Sequence, residues 1–168
     1  MITLHAYGTW LPDRPEGYRH HTKGSLAPSE VEAKLYRQRQ TQPALRFSHV
    51  TQRILVESAL TATTTQKLRS YFIATHPTHA HFLLGWRRPR LAERVRDRLK
   101  QSLSRDLNRL FGHRRWFVRN GWLERVSDEK HFDYLTDEYL PSHPGWAWER
   151  SRGWMKPVAA DREPLARG

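Results

Sequence analysis

Cysteine is absent from the 168 residues. That excludes the small secreted folds stapled by disulfides and the cysteine zinc fingers, and leaves any metal to His, Asp, Glu or Asn. No apolar run approaches the roughly 20 residues of a membrane-spanning helix. The amino-terminal Met1-Ile2-Thr3-Leu4-His5 lacks the charged start and apolar run of a secretory leader, so a cytoplasmic protein with no membrane partner is expected. Acidic residues are scarce. Seventeen Asp plus Glu face 29 Lys plus Arg, a formal net charge of +12, and 23 of the bases are arginine. Guanidinium matches phosphate oxygens and stacks on rings where lysine is a solvated point charge, so a polyanion, nucleic acid foremost, is the expected partner. The length suits one domain that buries roughly two thirds of its unfolded surface.

Three quarters of the excess charge lies between Arg87 and Arg119, where eleven arginines and one lysine meet only Glu93, Asp97 and Asp106. Within this run Leu91, Val95, Leu99, Leu103, Leu107, Leu110 and Phe111 recur at three- and four-residue steps, the pattern of one buried helix stripe. Beside it stand Arg94, Arg98, Arg105 and Arg109, with Arg114 and Arg115 following. These six are candidate phosphate contacts, and Trp116 and Trp122 are candidate stacking rings.

Residues 2–11 read as a first strand that halts at Pro12, followed by loop to residue 24. Helices are expected over 28–40 and over 49–69, the second capped by Ser48 and weakened at its end by Thr63 to Thr65. Residues 70–75 and 81–86 read as adjacent strands split by Pro77, in a mixed sheet with flanking helices. Residues 116–126 read as one strand or two, broken at Asn120-Gly121, a hairpin-type dipeptide. A late helix capped by Ser127 should place Phe132, Leu135 and Tyr139 along one side and end or kink at Pro141. From residue 149 the chain shows no periodicity, so a loosely attached tail over 149–168 is expected after a domain of residues 1–148.

On a strand, His79-Ala80-His81 points both imidazoles to one face, which makes half of a metal site. Tyr139 and His143, four apart, would stand one above the other on a continuous helix. Tyr134 and Glu138 share that spacing and form a rival pair, with a carboxylate better suited to a hard cation. Pro141 removes a backbone donor between Tyr139 and His143.

Taken in order, Tyr7-Gly8-Thr9-Trp10-Leu11, the triplet His79-Ala80-His81 after Pro77, and Tyr139-Leu140-Pro141-Ser142-His143-Pro144 resemble the HUH single-tyrosine transposases, in particular the branch called REP-associated tyrosine transposases. The resemblance spans about residues 2–148. It implies an α+β fold with a ferredoxin-like antiparallel sheet and helices packed on it. It also implies cleavage and rejoining of single-stranded DNA beside hairpins through a 5′-phosphotyrosine on Tyr139, and a divalent ion, Mg²⁺ or Mn²⁺, held by His79, His81 and His143. A homodimer belongs to the same set of expectations. His143 stands where that family usually has Asn or Gln. The alternative is a domesticated hairpin-binding protein, of DNA or RNA, that retains the arginine surface without chemistry.

Overall fold

The chain runs β1 (Ile2–His5), β2 (Tyr18–His20), β3 (Gly24–Leu26), α1 (Glu30–Gln38), α2 (His49–Thr65), β4 (Arg69–His76), β5 (His79–Gly85), α3 (Ala92–Phe111), β6 (Trp122–Leu123), α4 (Glu129–Asp133), a π-helical segment (Tyr134–Tyr139), β7 (Ala147–Glu149) and β8 (Gly153–Met155). This is a computed structural model, and it describes residues 1–13, 15, 18–20 and 24–157. The protein is α+β. Six strands form one sheet in the order β6-β1-β5-β4-β7-β8. Every ladder in it is antiparallel, which corrects the mixed sheet read from the strand pattern.

Alternation along the strands divides the core in two. Ile2, Leu4, Ala6, Ile73, Ala80 and Phe82 face one way, and they pack with Leu55, Val56 and Ala59 of α2 and with Val95, Leu99, Leu103 and Leu107 of α3. Burying each such side chain stabilises the fold by about 1.5–3 kcal/mol, so the α3 stripe alone fixes that helix on the sheet. Phe72, Ala74, Leu83 and Ala147 face the other way, against Leu135 and Leu140 around the π-helical segment. Both sides of the sheet are therefore occupied, and the intervening positions of β5, His79 and His81, fall on the π-helical side.

Ser48 caps α2 by accepting from Thr51 N at 3.2 Å, as its position suggested. The cap of α4 is Asp128, which accepts from His131 N at 2.8 Å, while Ser127 only supports that carboxylate. Carboxylate at an N-terminus gains from the helix dipole as well as the hydrogen bond, which is why Asp128 displaces the serine expected there.

Four further expectations are corrected. The first strand stops at His5, with Ala6 bridged to Phe117 and Gly8 turning the chain at φ 77. The stretch read as loop contains the antiparallel pair β2–β3. Residues 116–126 do not fold back on themselves at Asn120-Gly121; instead Phe117 bridges Ala6 just past β1, and Trp122 and Leu123 pair with β1 itself along one interrupted edge. The detour is stabilised by Lys100, whose Nζ donates to Val118 O at 2.6 Å and also to Arg119 O. Lastly, the end read as loose from residue 149 carries on in the sheet, Glu149 completing β7 and Gly153–Met155 forming β8 beside it; residues 158–168 lie outside the described residues.

Candidate metal centre

Strand register assembles the centre. Thr3, His81 and Ala74 stand side by side across β1, β5 and β4, and the next row toward the sheet end is His5, His79 and His76. The hairpin joining β4 to β5 is only Pro77-Thr78, whose carbonyls accept from Phe47 N at 2.7 Å and from Ala6 N at 2.8 Å. Proline suits that turn because it needs no backbone donor. Thr9 braces it by reaching Thr78 O and Ala6 O, and Trp10 lays its ring 4.3 Å from His5. The residues of the first motif thus support the histidine end of the sheet.

His143 arrives from the other side. Leu140 N donates to Leu135 O, a bond spanning five residues, and Pro141 offers no donor to carry a helix on. The widened turn places Tyr134 beside Tyr139, with ring centroids 6.2 Å apart and planes 28° from parallel. Beyond it the chain folds back, and His143 Nδ1 donates to Tyr139 O at 3.0 Å and lies 3.3 Å from Leu140 O. Two residues predicted to align on an α-helix are brought together by its interruption instead.

The ligand nitrogens of His79, His81 and His143 lie within 4.8 Å of one another and could hold a metal ion. Glu138, the rival ligand, is exposed and stands outside this cluster. Each imidazole has Nδ1 engaged with oxygen: His81 with Thr3 Oγ1 at 2.8 Å, His79 with Thr78 Oγ1 at 3.0 Å, and His143 with the carbonyls. Thr78 N donates to His76 Nδ1 at 3.2 Å, so His76 is an acceptor there, and its neighbour His79 supplies the proton to the shared Thr78 hydroxyl. Outer partners of this kind fix the tautomer and leave Nε2 as the ligand atom. The donor set, three imidazoles, is complete enough for a transition metal.

Burial, followed by the neighbouring charges of His143, His79, His5 and His76, pulls the pKa of His81 from 6.5 to about 2. Burial also lowers that of His143, against the opposing pull of its two carbonyl bonds. Both are therefore neutral, as ligands must be. A histidine neutral when folded and charged when unfolded favours the unfolded chain in acid. Without metal, stability should fall by about 1.4 kcal/mol per pH unit for such a group as pH drops below 6.5 towards the folded value. Urea titrations at pH 7 and pH 5 in chelator measure this, and His81→Asn should flatten the dependence.

Tyr139 Oη lies 3.4 Å from His81 Nε2, and its ring sits edge-on to both His81 and His143. Burial, then the charges of Glu124 and Tyr134, raises its pKa above 10. The phenol is thus held protonated next to the centre. Nε2 cannot accept from it and bind a metal together, so that hydrogen bond is surrendered when the site is loaded. Thr3, nearly fully buried, orients His81 without touching the centre. Thr3→Val should weaken metal binding by about 10–100-fold with little change in fold, a shift that calorimetric titration reads directly.

The arginines do not gather at the histidines. Arg94, Arg98, Arg105 and Arg109 ride on α3, which packs on the opposite side of the sheet, with Val95, Leu99, Leu103 and Leu107 turned inward. Arg114 and Arg115 lie nearer, because Trp116 O accepts from Tyr7 N just past β1. Arg114 stacks on Trp116 at 4.9 Å, and the Gln42 side-chain amide donates to Arg115 O and accepts from Arg115 N. Trp116 is buried, its indole donating to Asn108, while Trp122 is exposed. Arg94 and Arg109 are separated by about 22 Å of helix, so a strand touching all six arginines must run the length of α3. His5 and His76 were missed by sequence reading, because only the pairing of β1 with β5 and β4 puts them beside His79.

The fold and centre define an α+β protein with a three-histidine site, and no described helix is long and apolar enough to cross a membrane. In comparisons with known proteins no family model matches the chain, and no curated protein or solved structure does so either.

Proposed function

We propose that this chain is a metal-dependent nuclease and strand transferase acting on single-stranded DNA beside hairpins, with Tyr139 as nucleophile, in the manner of the HUH single-tyrosine transposases that its motifs resemble. The observation that carries the reading is the meeting of His79, His81, His143 and Tyr139, from one strand and one interrupted helix 58 to 64 residues away, on a single spot. An antiparallel sheet with α2 and α3 on one side agrees with the ferredoxin-like core the resemblance implies.

In this reading the Tyr139 oxygen forms a bond to phosphorus and the phosphorus–O3′ bond breaks, the phenol proton passing to solvent water and the departing O3′ taking a proton from water. A 5′-phosphotyrosine and a free 3′ hydroxyl result, and attack by another 3′ hydroxyl reverses the step without an external energy source. Bound by the three histidines, a divalent ion supplies positive charge against the developing phosphoryl charge. Three imidazoles and no carboxylate favour Mn²⁺ over Mg²⁺. The protein's part is to keep the ligands neutral and their tautomers fixed, and to pack the Tyr139 ring edge-on beside His81 and His143. The arginines spread along α3, with Arg114 and Arg115 beyond it, draw the polyanion to the protein.

Incubation of the protein with a hairpin-tipped single strand and Mn²⁺ should give an adduct stable to detergent. Tyr139→Phe should lose it and Tyr134→Phe should keep it. The reverse pattern overturns the nucleophile, and salt-sensitive binding without cleavage under any metal leaves a non-catalytic hairpin-binding protein.

A further inference from the structure

The sheet is wider than the pair of helices on its α2–α3 side. α2 packs on β4 and reaches β7, and past it that face presents tryptophan. Trp146 and Trp148 lean against the helix-side core, and Trp154 stands directly opposite Trp148 across the β7–β8 pair. The rings of Trp146 and Trp154 meet edge-on at 6.0 Å, and Trp154 remains 44% exposed at the sheet edge. Between Trp146 and the outer stripe of α2, which includes His49, Val50 and Arg53, runs a groove of about 460 Å³. The Arg53 guanidinium lies 5.7 Å from the Trp146 ring, and the groove's acid, Glu57, is ion-paired with it at 3.0 Å.

This shelf is tied to the metal centre through the backbone. Trp146 follows His143 by three residues, Gly145 N donates to Thr75 O at 3.1 Å, and Trp146 O accepts from Thr75 N at 3.1 Å. The segment crosses the sheet end, with the His143 ring on one side and the Trp146 ring on the other. Chain leaving the centre past Pro144 would meet the shelf next.

We propose that Trp146, Trp148 and Trp154 with Arg53 form a stacking platform for unpaired bases of a single DNA strand whose phosphate lies at the histidine centre. Indole faces accept any base, and guanidinium serves both ring and phosphate. A net charge of +12 favours a polyanion there over a second copy of the chain, which would bring like charge together. The identity of the strand rests on the function proposed above; the platform itself does not need the chemistry.

The test uses the whole 168-residue chain carrying Tyr139→Phe, in chelator, so that binding is read without cleavage. Fluorescence anisotropy of a labelled oligo(dT) should show about tenfold or greater weakening in Trp154→Ala, with duplex binding and the salt slope unchanged and Trp154→Tyr restoring most of the affinity. Trp154 sits on an edge strand, so its replacement leaves the core intact; thermal melting checks this. Trp146→Ala should act in the same direction. Wild-type affinity for oligo(dT) in both alanine variants overturns the platform, even if adducts form normally on the unaltered nucleophile. So does a change in oligomeric state on Trp154→Ala without a change in DNA affinity. Weakened single-strand binding in a protein that forms no adduct with any metal upholds the platform and rejects the nuclease.

Discussion

His81→Asn should remove the metal affinity of the protein almost entirely, by more than the 10–100-fold expected for a lost outer partner, and adduct formation should vanish with it. His81 stands at the middle of the cluster, with its ring 4.8 Å from that of His79, 4.5 Å from that of His143 and 5.4 Å from that of Tyr139. It is 3% exposed, so no water replaces its nitrogen cheaply. Asparagine keeps a polar group for Thr3 without a reach comparable to imidazole. Calorimetry with Mn²⁺ reads the affinity, and binding within threefold of wild type would show that the other two histidines suffice. The same substitution separates ligation from packing, since its metal-free stability at pH 5 should hold up better than that of the parent.

Gly145→Ala should be the most damaging glycine-to-alanine change among the described residues. A Cβ at this position would come 2.2 Å from both Gln52 Oε1 and Thr75 O, and 2.5 Å from Thr75 Oγ1. None of these can move freely. Gln52 is fully buried and its amide donates to Phe47 O at 2.8 Å; Thr75, next to last in β4, is also fully buried and its hydroxyl donates to Trp146 O at 2.6 Å. Overpacking usually costs about 1–3 kcal/mol, and loss of the buried bonds adds about 1–3 kcal/mol for each group stranded. Chemical denaturation should show a loss at the upper part of that range, with metal affinity falling too because His143 precedes the displaced segment. A loss below 0.5 kcal/mol would mean that the segment from residue 143 to residue 147 relaxes without resistance.

How far the sequence discloses the protein depends on whether a feature is local. The α3 stripe is local, since its period is carried by its own residues, and the helix lies where Val95, Leu99, Leu103 and Leu107 place it. The His79 and His81 pair is equally local, because alternation on one strand is enough. The row His5–His79–His76 is not, for it depends on which strands flank β5 and in which register. Pro141 announces a break but says nothing of the five-residue bond from Leu140 to Leu135 that sets Tyr139. The placement of α3 on the side of the sheet opposite the histidines follows from the crossover after Trp86, which no motif signals. In β7 and β8 the alternation was present in Trp146-Ala147-Trp148 and Gly153-Trp154-Met155, but three-residue strands give too few repeats to outweigh the polar residues between them.

Both margins of the sheet are poor templates for growth. At one, β6 offers two residues after the detour at 118–121, where the Val118 and Arg119 carbonyls are held by Lys100. At the other, β8 spans three residues and begins at Gly153, with φ 75. Short, interrupted borders resist edge-to-edge addition of further chains. Two copies of this protein would therefore join through side-chain surfaces rather than by extending one sheet into a continuous twelve-strand ribbon, and the same borders protect a concentrated solution from fibrillar assembly.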